Sequence, residues 1–377
     1  MPPGPRAPTG SREPAADGPT GLSLVRHPTD ETLLATAVRP HERVGVAGLG
    51  TGRARRGRWG VPPAPHAVAG FRWDAIDDRH PRWWPQGIDV LPGEGGRPTL
   101  IAVSWYSQRG RGARVSFVDP RPDAPRYRHV TLAAPVEVPE GDSAVPGGVR
   151  LAPVEVHAGG IAIVDDRLYV AATRGGLREF RLADLLRLRN RAGRIDGPLV
   201  LPQCAHLVAT TASGTERLRY SFVSLEGAGE GGGGGGREGG GGGDTADARP
   251  ALVVGEYGDG PGGRLARIPL DPRQRGIRAR AEVAEVHDPG IPKMQGALVR
   301  DGTWFVTASR GARAGGDLWV GGPRGFTRMP GELAPGPEDL ALWPARGQLW
   351  TVAEFPGRRW VYALDAAATR ARARAQG

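Results

Sequence analysis

The chain has 377 residues with 60 Gly and 36 Pro, both about twice ordinary usage, and a formal charge of +10. Residues 1–66 carry +4 of that charge and 366–377 carry +3, which leaves +3 for 67–365. A nucleic-acid binder concentrates charge on a face or groove, so that class is set aside. Cys204 is the sole cysteine, which excludes an intrachain disulfide, and no window approaches the ~18 apolar residues of a membrane span.

Residues 1–66 are rich in Pro, Arg and Gly, with LLATAV at 33–38 as the one short apolar patch. So little apolar area does not offset ordering entropy, and the segment is expected to be disordered. Its opening, MPPGPRAPTGSREPAADGPTG, lacks the apolar core of an export signal. VGVAGLGTG imitates a dinucleotide loop, but it lacks the helix and strand that give such glycines their meaning.

From residue 67 the texture changes to short β-branched and aromatic runs separated by turn residues. LADLLRLRN, 182–190, is the best helix signal. GIAIVDDRLYVAATRG at 160–175 matches GALVRDGTWFVTASRG at 296–311 without a gap, at an offset of 136 residues. Further copies are EDLALWPARGQLWTVAEFPG at 338–357, QGIDVL followed by TLIAVSWY, and YSFVSLE followed by ALVVGEY. Each continues into a third strand: ARVSFVD, LREFRLAD, GRLARIPLD, GDLWVG and RRWVYALD. Fourth strands are expected at RYRHVTL, near 207–211, at AEVAEVHD and at GFTRMPG. The last copy has none, and GFRWDAI, 70–76, stands before the first copy without a unit of its own.

Four-stranded units arranged radially, one of them completed by both chain ends, are what a β-propeller needs. The sequence therefore predicts an all-β, five-bladed β-propeller over 67–365, closed by the N-terminal strand. The Gly-rich stretch at 227–243 is expected to be a flexible loop, since no following helix or Lys-Ser/Thr makes it a phosphate cradle. The tail 366–377 is expected to be a disordered basic segment.

The first strand of each blade lines the channel, where Gln86-Gly87 and Gln295-Gly296 recur. Glycine there permits tight packing, and its polar neighbour faces the channel or pairs with backbone. His157 and Glu338 align with each other upstream in the same register. The sharper reading converges Gln86, His157, Gln295, Glu338 and Asp339 on one channel mouth, with Glu256 and Glu354 approaching it. Carboxylates with one His fit a hard divalent cation, with His157, Glu338 and Asp339 as candidate ligands. Glu338, Asp339, Glu256 and Glu354 are the candidate acid/base residues. HDPG at 287–290 reads as a turn.

Propeller lactonases of the gluconolactonase type use a channel Asn with acids, and Asn190, the only asparagine, departs from that pattern. Five-bladed arabinanase-like glycosidases need three separated acids, which Glu338, Glu256, Glu354 and Asp89 nominally supply. The residues HPRWWPQGID, RLRYSFVSLE, KMQGALVRDGTWFVTASRG and PEDLALWPARGQLWTVAEFPGRRWVYALD resemble an uncharacterised, secreted-type family of actinobacterial proteins over about 70–365. That resemblance implies an extracytoplasmic location and supplies no function. The leading expectation is a monomeric, non-catalytic scaffold that binds a small molecule, glycan or protein. The alternative is a hydrolase of glycans or esters with acids at the channel mouth, with or without a divalent cation.

Overall fold

The computed structural model describes residues 19–138, 148–189, 195–226, 250–260, 262–271 and 276–377. The chain forms a propeller-like β fold built from antiparallel meanders. One runs Trp83–Leu91, Leu100–Ser107, Ala113–Asp119 and Arg126–Glu137; the next runs Ile161–Val164, Arg167–Ala171, Leu177–Arg181 and Leu199–Thr211. These two are joined into one sheet because Val200–Pro202 pairs in parallel with Thr131–Ala133. A third comprises Phe222–Leu225, Ala251–Gly255, Leu265–Pro269 and Glu285–His287, and a fourth Met294–Arg300, Thr303–Ala308, Gly316–Gly322 and Gly325–Leu333. The last, Pro337–Trp343, Gln348–Ala353 and Trp360–Asp365, is completed by Ala67–Arg72 from far upstream.

That closure follows from the sequence pattern. Val361 faces Phe71 and Tyr362 faces Gly70 in an antiparallel pair, so the missing outer strand of the last meander comes from upstream as expected, but as Ala67–Arg72. Only its last three residues belong to GFRWDAI, whose end enters a helix. Phe71 is fully buried and meets Trp59 and Trp73 edge-on. The helix Ala75–Arg79, capped by Asp74, then carries Asp77 and Asp78 inward. Asp78 accepts from Arg72 and from the Arg359 backbone, and Arg359 donates to the Asp77 carbonyl, tying the last meander to the first.

The innermost strand of each meander packs on the next around an axis, the last returning to the first. Here the Gln-Gly pairs find their explanation. Strand pairing shifts register between Pro85 and Ile88, between Met294 and Gly296, and between Pro337 and Leu340. Gln86-Gly87, Gln295-Gly296 and Glu338-Asp339 are thus the same bulged position in three meanders. A Cβ on Gly87 would lie 2.7 Å from the Gly160 carbonyl carbon and the Ile161 nitrogen. One on Gly296 would lie 2.5 Å from the Asp339 Cα. Backbone meets backbone there, and only glycine fits.

Two expectations of disorder are corrected. Within 1–66, residues 19–66 are ordered: Leu22–Pro28 pairs with Leu199–Thr211 on one edge and with Arg280–Glu282 on the other. Leu22 and Leu24 are buried in the core between them, and Arg26 donates to the fully buried Glu179 at 2.7 Å. Edge pairing supplies the stabilisation that the segment's composition lacks. The helix Glu31–Val38, capped by Asp30, adds the buried Ala37 to a satellite core. The tail is the helix Ala366–Gln376, capped by Asp365, with Ala366, Thr369 and Ala373 buried on one face. Arg372 reaches Glu332 at 2.6 Å, so arginines that read as a loose basic run are pinned by acids.

The segment 182–190 is not a long helix. It makes a 3-10 turn, Leu182–Asp184, then the short strand Leu186–Arg187, while Asn190 lies outside the described residues. The Gly-rich stretch 227–243 also lies outside them.

Candidate functional site: a carboxyl pair at the mouth of the inner strands

Glu338 stands at the start of the innermost strand of the last meander, and Glu354 follows the strand beside it. The two side chains share a hydrogen bond, which requires a proton on one of them. Glu338 is 2 % exposed, whereas Glu354 is only half-buried and forms the solvent-facing member. Burial pushes the Glu338 carboxyl well above its usual range, and repulsion from Glu354 and Asp339 adds to it. Burial likewise raises Glu354, to about 7, against the favourable influence of Gln86 and Arg359. Two carboxyls in contact hold one proton between them near neutrality.

The surroundings hold this pair in place. Gln86 donates to Glu354 at 3.2 Å and to its neighbour's carbonyl, Pro85 O, at 2.9 Å. Thr307 donates to the Glu338 carbonyl oxygen at 2.6 Å. Arg359 donates from Nε to the Glu354 carbonyl oxygen at 2.8 Å, and its guanidinium lies beneath the Trp84 and Trp105 rings. Its buried Nη2 has no hydrogen-bond partner among the described residues. Trp84 meets Phe355 edge-on, giving the mouth an aromatic wall. Tyr106 and Tyr257 stand close enough for the charges of Glu338 and Glu354 to raise their hydroxyl pKa values, in addition to the larger effect of burial.

His157 does not occupy the Glu338 position. Ile161 pairs with Val170, Ala297 with Val306 and Leu340 with Thr351, so Gly159, Gln295 and Glu338 are equivalent. The ungapped alignment slips by two because the last meander turns through the longer 3-10 segment Pro344–Arg346. His157 is an exposed residue ahead of its strand, its ring stacked on Tyr106 at 4.2 Å between centroids. It stands near the mouth through Tyr106 and is not a channel-lining equivalent of Glu338.

The remaining candidates separate. Asp339 is fully buried between inner strands and accepts from Ile88 and Ile161 nitrogens at 3.3 Å each. Burial raises its pKa well above the usual range, and its Oδ1 has no partner among the described residues. It clamps backbone and does not face the mouth with Glu354. Asp89 plays a similar part farther along its strand, accepting from Val90 and Ile163; burial raises it to about 7. Glu256 is corrected as an acid/base candidate. Burial alone would raise it, but Arg264 and two backbone N–H groups hold it below its ordinary value. Gln295 is half-buried in the equivalent bulge. HDPG is a turn, in which Gly290 donates to Asp288 and His287 bonds to Glu285.

The expected metal set does not assemble. Among the described residues no group of three or more His, Cys, Asp or Glu side chains, His157, Glu338 and Asp339 included, is arranged to hold a metal ion.

A second polar chain had no signal in the sequence. Trp105 donates to Ser116 Oγ at 2.7 Å, Ser116 Oγ lies 2.7 Å from His129 Nδ1, and His129 Nε2 lies 2.9 Å from Asp77. The order Ser–His–Asp imitates a nucleophilic triad, but Ser116 is fully buried. Tyr127, Arg55 and Arg114 complete the ring about Asp77, which is a structural knot.

No family model and no curated protein matches the chain. Among solved structures it is similar to a gluconolactonase from Xanthomonas campestris, at 13% identity and TM-score 0.37, covering 83% of this chain and 97% of that one. A GH43_1 enzyme from Xanthomonas citri gives 13% identity and TM-score 0.36, covering 80% and 90%. A β-xylosidase gives 9% and 0.34, covering 77% and 93%. These neighbours are enzymes. The expectation of a non-catalytic scaffold is corrected on the carboxyl pair, which supports the hydrolase alternative, and not on this distant likeness. Likeness this distant says nothing of substrate, and the chemistry is argued from the carboxyl pair alone. No helix of the described residues is long and apolar enough to cross a membrane.

Proposed function

We propose that the protein is a hydrolase on a five-bladed propeller, with the Glu338–Glu354 pair as its acid/base group and a carboxylic ester or lactone as substrate. The blade count is supported by the ring of inner strands and by the pairing of Ala67–Arg72 with Trp360–Asp365. The chemistry rests on one observation: two carboxyls sharing a hydrogen bond at a mouth walled by Trp84, Phe355, Tyr106 and Tyr257.

The contact between the carboxyls decides between glycan and ester. Glycosidases place their two carboxyls ~5 to 9.5 Å apart, on either side of the scissile bond. A hydrogen-bonded pair leaves no room for a sugar between its members. A pair with one shared proton suits attack of water on a carbonyl carbon. The ionised carboxylate takes a proton from water as the water oxygen bonds to carbon, and the protonated partner gives its proton to the carbonyl oxygen. The pair again holds one proton. Collapse of the tetrahedral adduct returns a hydroxyl proton to the pair, breaks the C–O bond and sends the alcohol away with the other proton. Both carboxyls exchange protons with the reacting atoms, Glu354 from the solvent side and Glu338 from the buried side.

The test is steady-state hydrolysis of 4-nitrophenyl acetate and δ-valerolactone, with 4-nitrophenyl β-xyloside as the glycoside arm. Turnover of ester or lactone, lowered at least about a hundredfold in Glu354→Gln, is expected. Turnover of the xyloside alone would overturn the reading.

A further inference from the structure

A second cavity lies away from the carboxyl pair. It encloses ≈ 1440 Å³ at the far ends of the inner strands, where Leu91, Ile163, Leu225 and Leu342 line it. The segment 44–56 forms part of its wall, with Leu49 anchored in the core of the first two meanders. This wall exists because the N-terminal region is folded against the sheets.

Six arginines and six acids line that cavity, Asp89, Asp165, Asp166 and Glu226 among the acids, but they are not all paired with one another. Arg97, Arg121 and Arg126 line it and are matched by Glu94, Asp119 and Asp123. Arg53 and Arg128 also line it, and neither makes an ion pair or side-chain hydrogen bond with a described residue. Arg53 is exposed. Arg128 is half-buried, and its Nε is wholly buried without a partner. Its guanidinium lies against Gly52, whose left-handed backbone (φ +81°) leaves room that a Cβ would fill at 2.5 Å from Nη2. Burial lowers the Arg128 pKa, and the nearby Arg187 charge lowers it further. A half-buried guanidinium whose Nε has no partner, with the Arg187 charge nearby, is placed to meet an anion.

We propose that this cavity binds a small organic oxyanion, with Arg128 and Arg53 on the anionic group and the apolar wall on its body. The planar guanidinium fork matches two oxygens of one phosphate or carboxylate at once. The inner-strand leucines and Leu49 supply the contact for a ring or short hydrocarbon. Leaving Arg128 without an internal acid keeps its donors for the ligand. The site is independent of the carboxyl pair, and its failure would leave the hydrolase reading untouched.

The experiment is calorimetric titration of the full chain with phenyl phosphate, benzoate and inorganic phosphate, in about 0.15 M NaCl to screen loose surface binding. The expected result is saturable binding of at least one organic anion, tighter than inorganic phosphate. Arg128→Gln and, separately, Arg53→Gln should each weaken it about tenfold or more. Arg53 is exposed on its loop, so its variant tests the site even if the Arg128 variant folds poorly. Arg121→Gln, which removes an arginine already paired with Asp119, should leave the affinity within about threefold. The proposal is overturned if no probe saturates, or if Arg53→Gln binds as the wild type does.

Discussion

Phe71 and Val361, 290 positions apart, face each other across the pair of strands that closes the fold. Because Phe71 is fully buried between Trp59 and Trp73, Phe71→Ala removes the wedge that seals the last meander. A loss of about 3–5 kcal/mol is expected in denaturant unfolding. A loss under about 1 kcal/mol would show that the closure does not hold the molecule together.

The glycine at the bulge carries a second expectation. Gly296→Ala places a methyl group against the Asp339 backbone, which has no flexible end to yield. Destabilisation of about 1–3 kcal/mol should follow. Gly50→Ala, with nothing within 4 Å of its added carbon, should change stability little, and the two midpoints measured side by side check the pair.

Asp77 accepts from Arg114, Tyr127 and His129 inside the knot. Asp77→Asn leaves the buried Arg114 uncompensated, and a loss of about 3–5 kcal/mol is expected from urea unfolding. Burial chiefly, with Arg114, holds His129 near 4, below the ordinary value of 6.5. The unfolded chain therefore binds the extra proton first, and this group's contribution to stability falls as pH drops from about 6.5 toward 4. His129→Gln should flatten the stability profile over that window. An unchanged slope would contradict the neutral imidazole.

Much of this architecture is written in local pattern. ARVSFVD, 113–119, is a strand over those same residues, and ALVVGEY, 251–257, is one over its first five, because β-branched runs between turn residues carry their own signal. Closure from upstream is legible because the last copy visibly lacks a strand. LSLVRHP, 22–28, gives no such signal: its partners lie near residues 205–211 and 280–282, and Arg26 is ordered by Glu179. The terminal helix hides in an Ala/Arg run whose buried face is made of small residues. At the site, Glu354 and Gln86 stand out in the sequence. Their convergence with Arg359 and Tyr106 depends on strand register, and the extra residues in one hairpin were enough to misplace His157.

The carboxyl pair gives the opposite pH sign. Glu354, raised to about 7, and Glu338, raised well above its ordinary value, bind protons in the folded state that the unfolded chain has already lost. Their contribution to stability is therefore full below about pH 4.5 and declines as pH rises toward 7. Glu354→Gln should remove that decline, seen as a melting temperature that falls less than the wild type's between pH 5 and 8. A variant with the wild-type slope would place the titrating groups elsewhere.

The shared proton itself is most directly read by carbon NMR of protein labelled at the glutamate carboxyl carbon, titrated across neutrality. Two coupled resonances should appear, one still protonated near pH 6 and titrating near 7, and both should change when Glu354 is replaced by Gln. If every glutamate titrates near its ordinary value of about 4.5, the pair holds no proton at neutral pH and the acid/base mechanism is wrong.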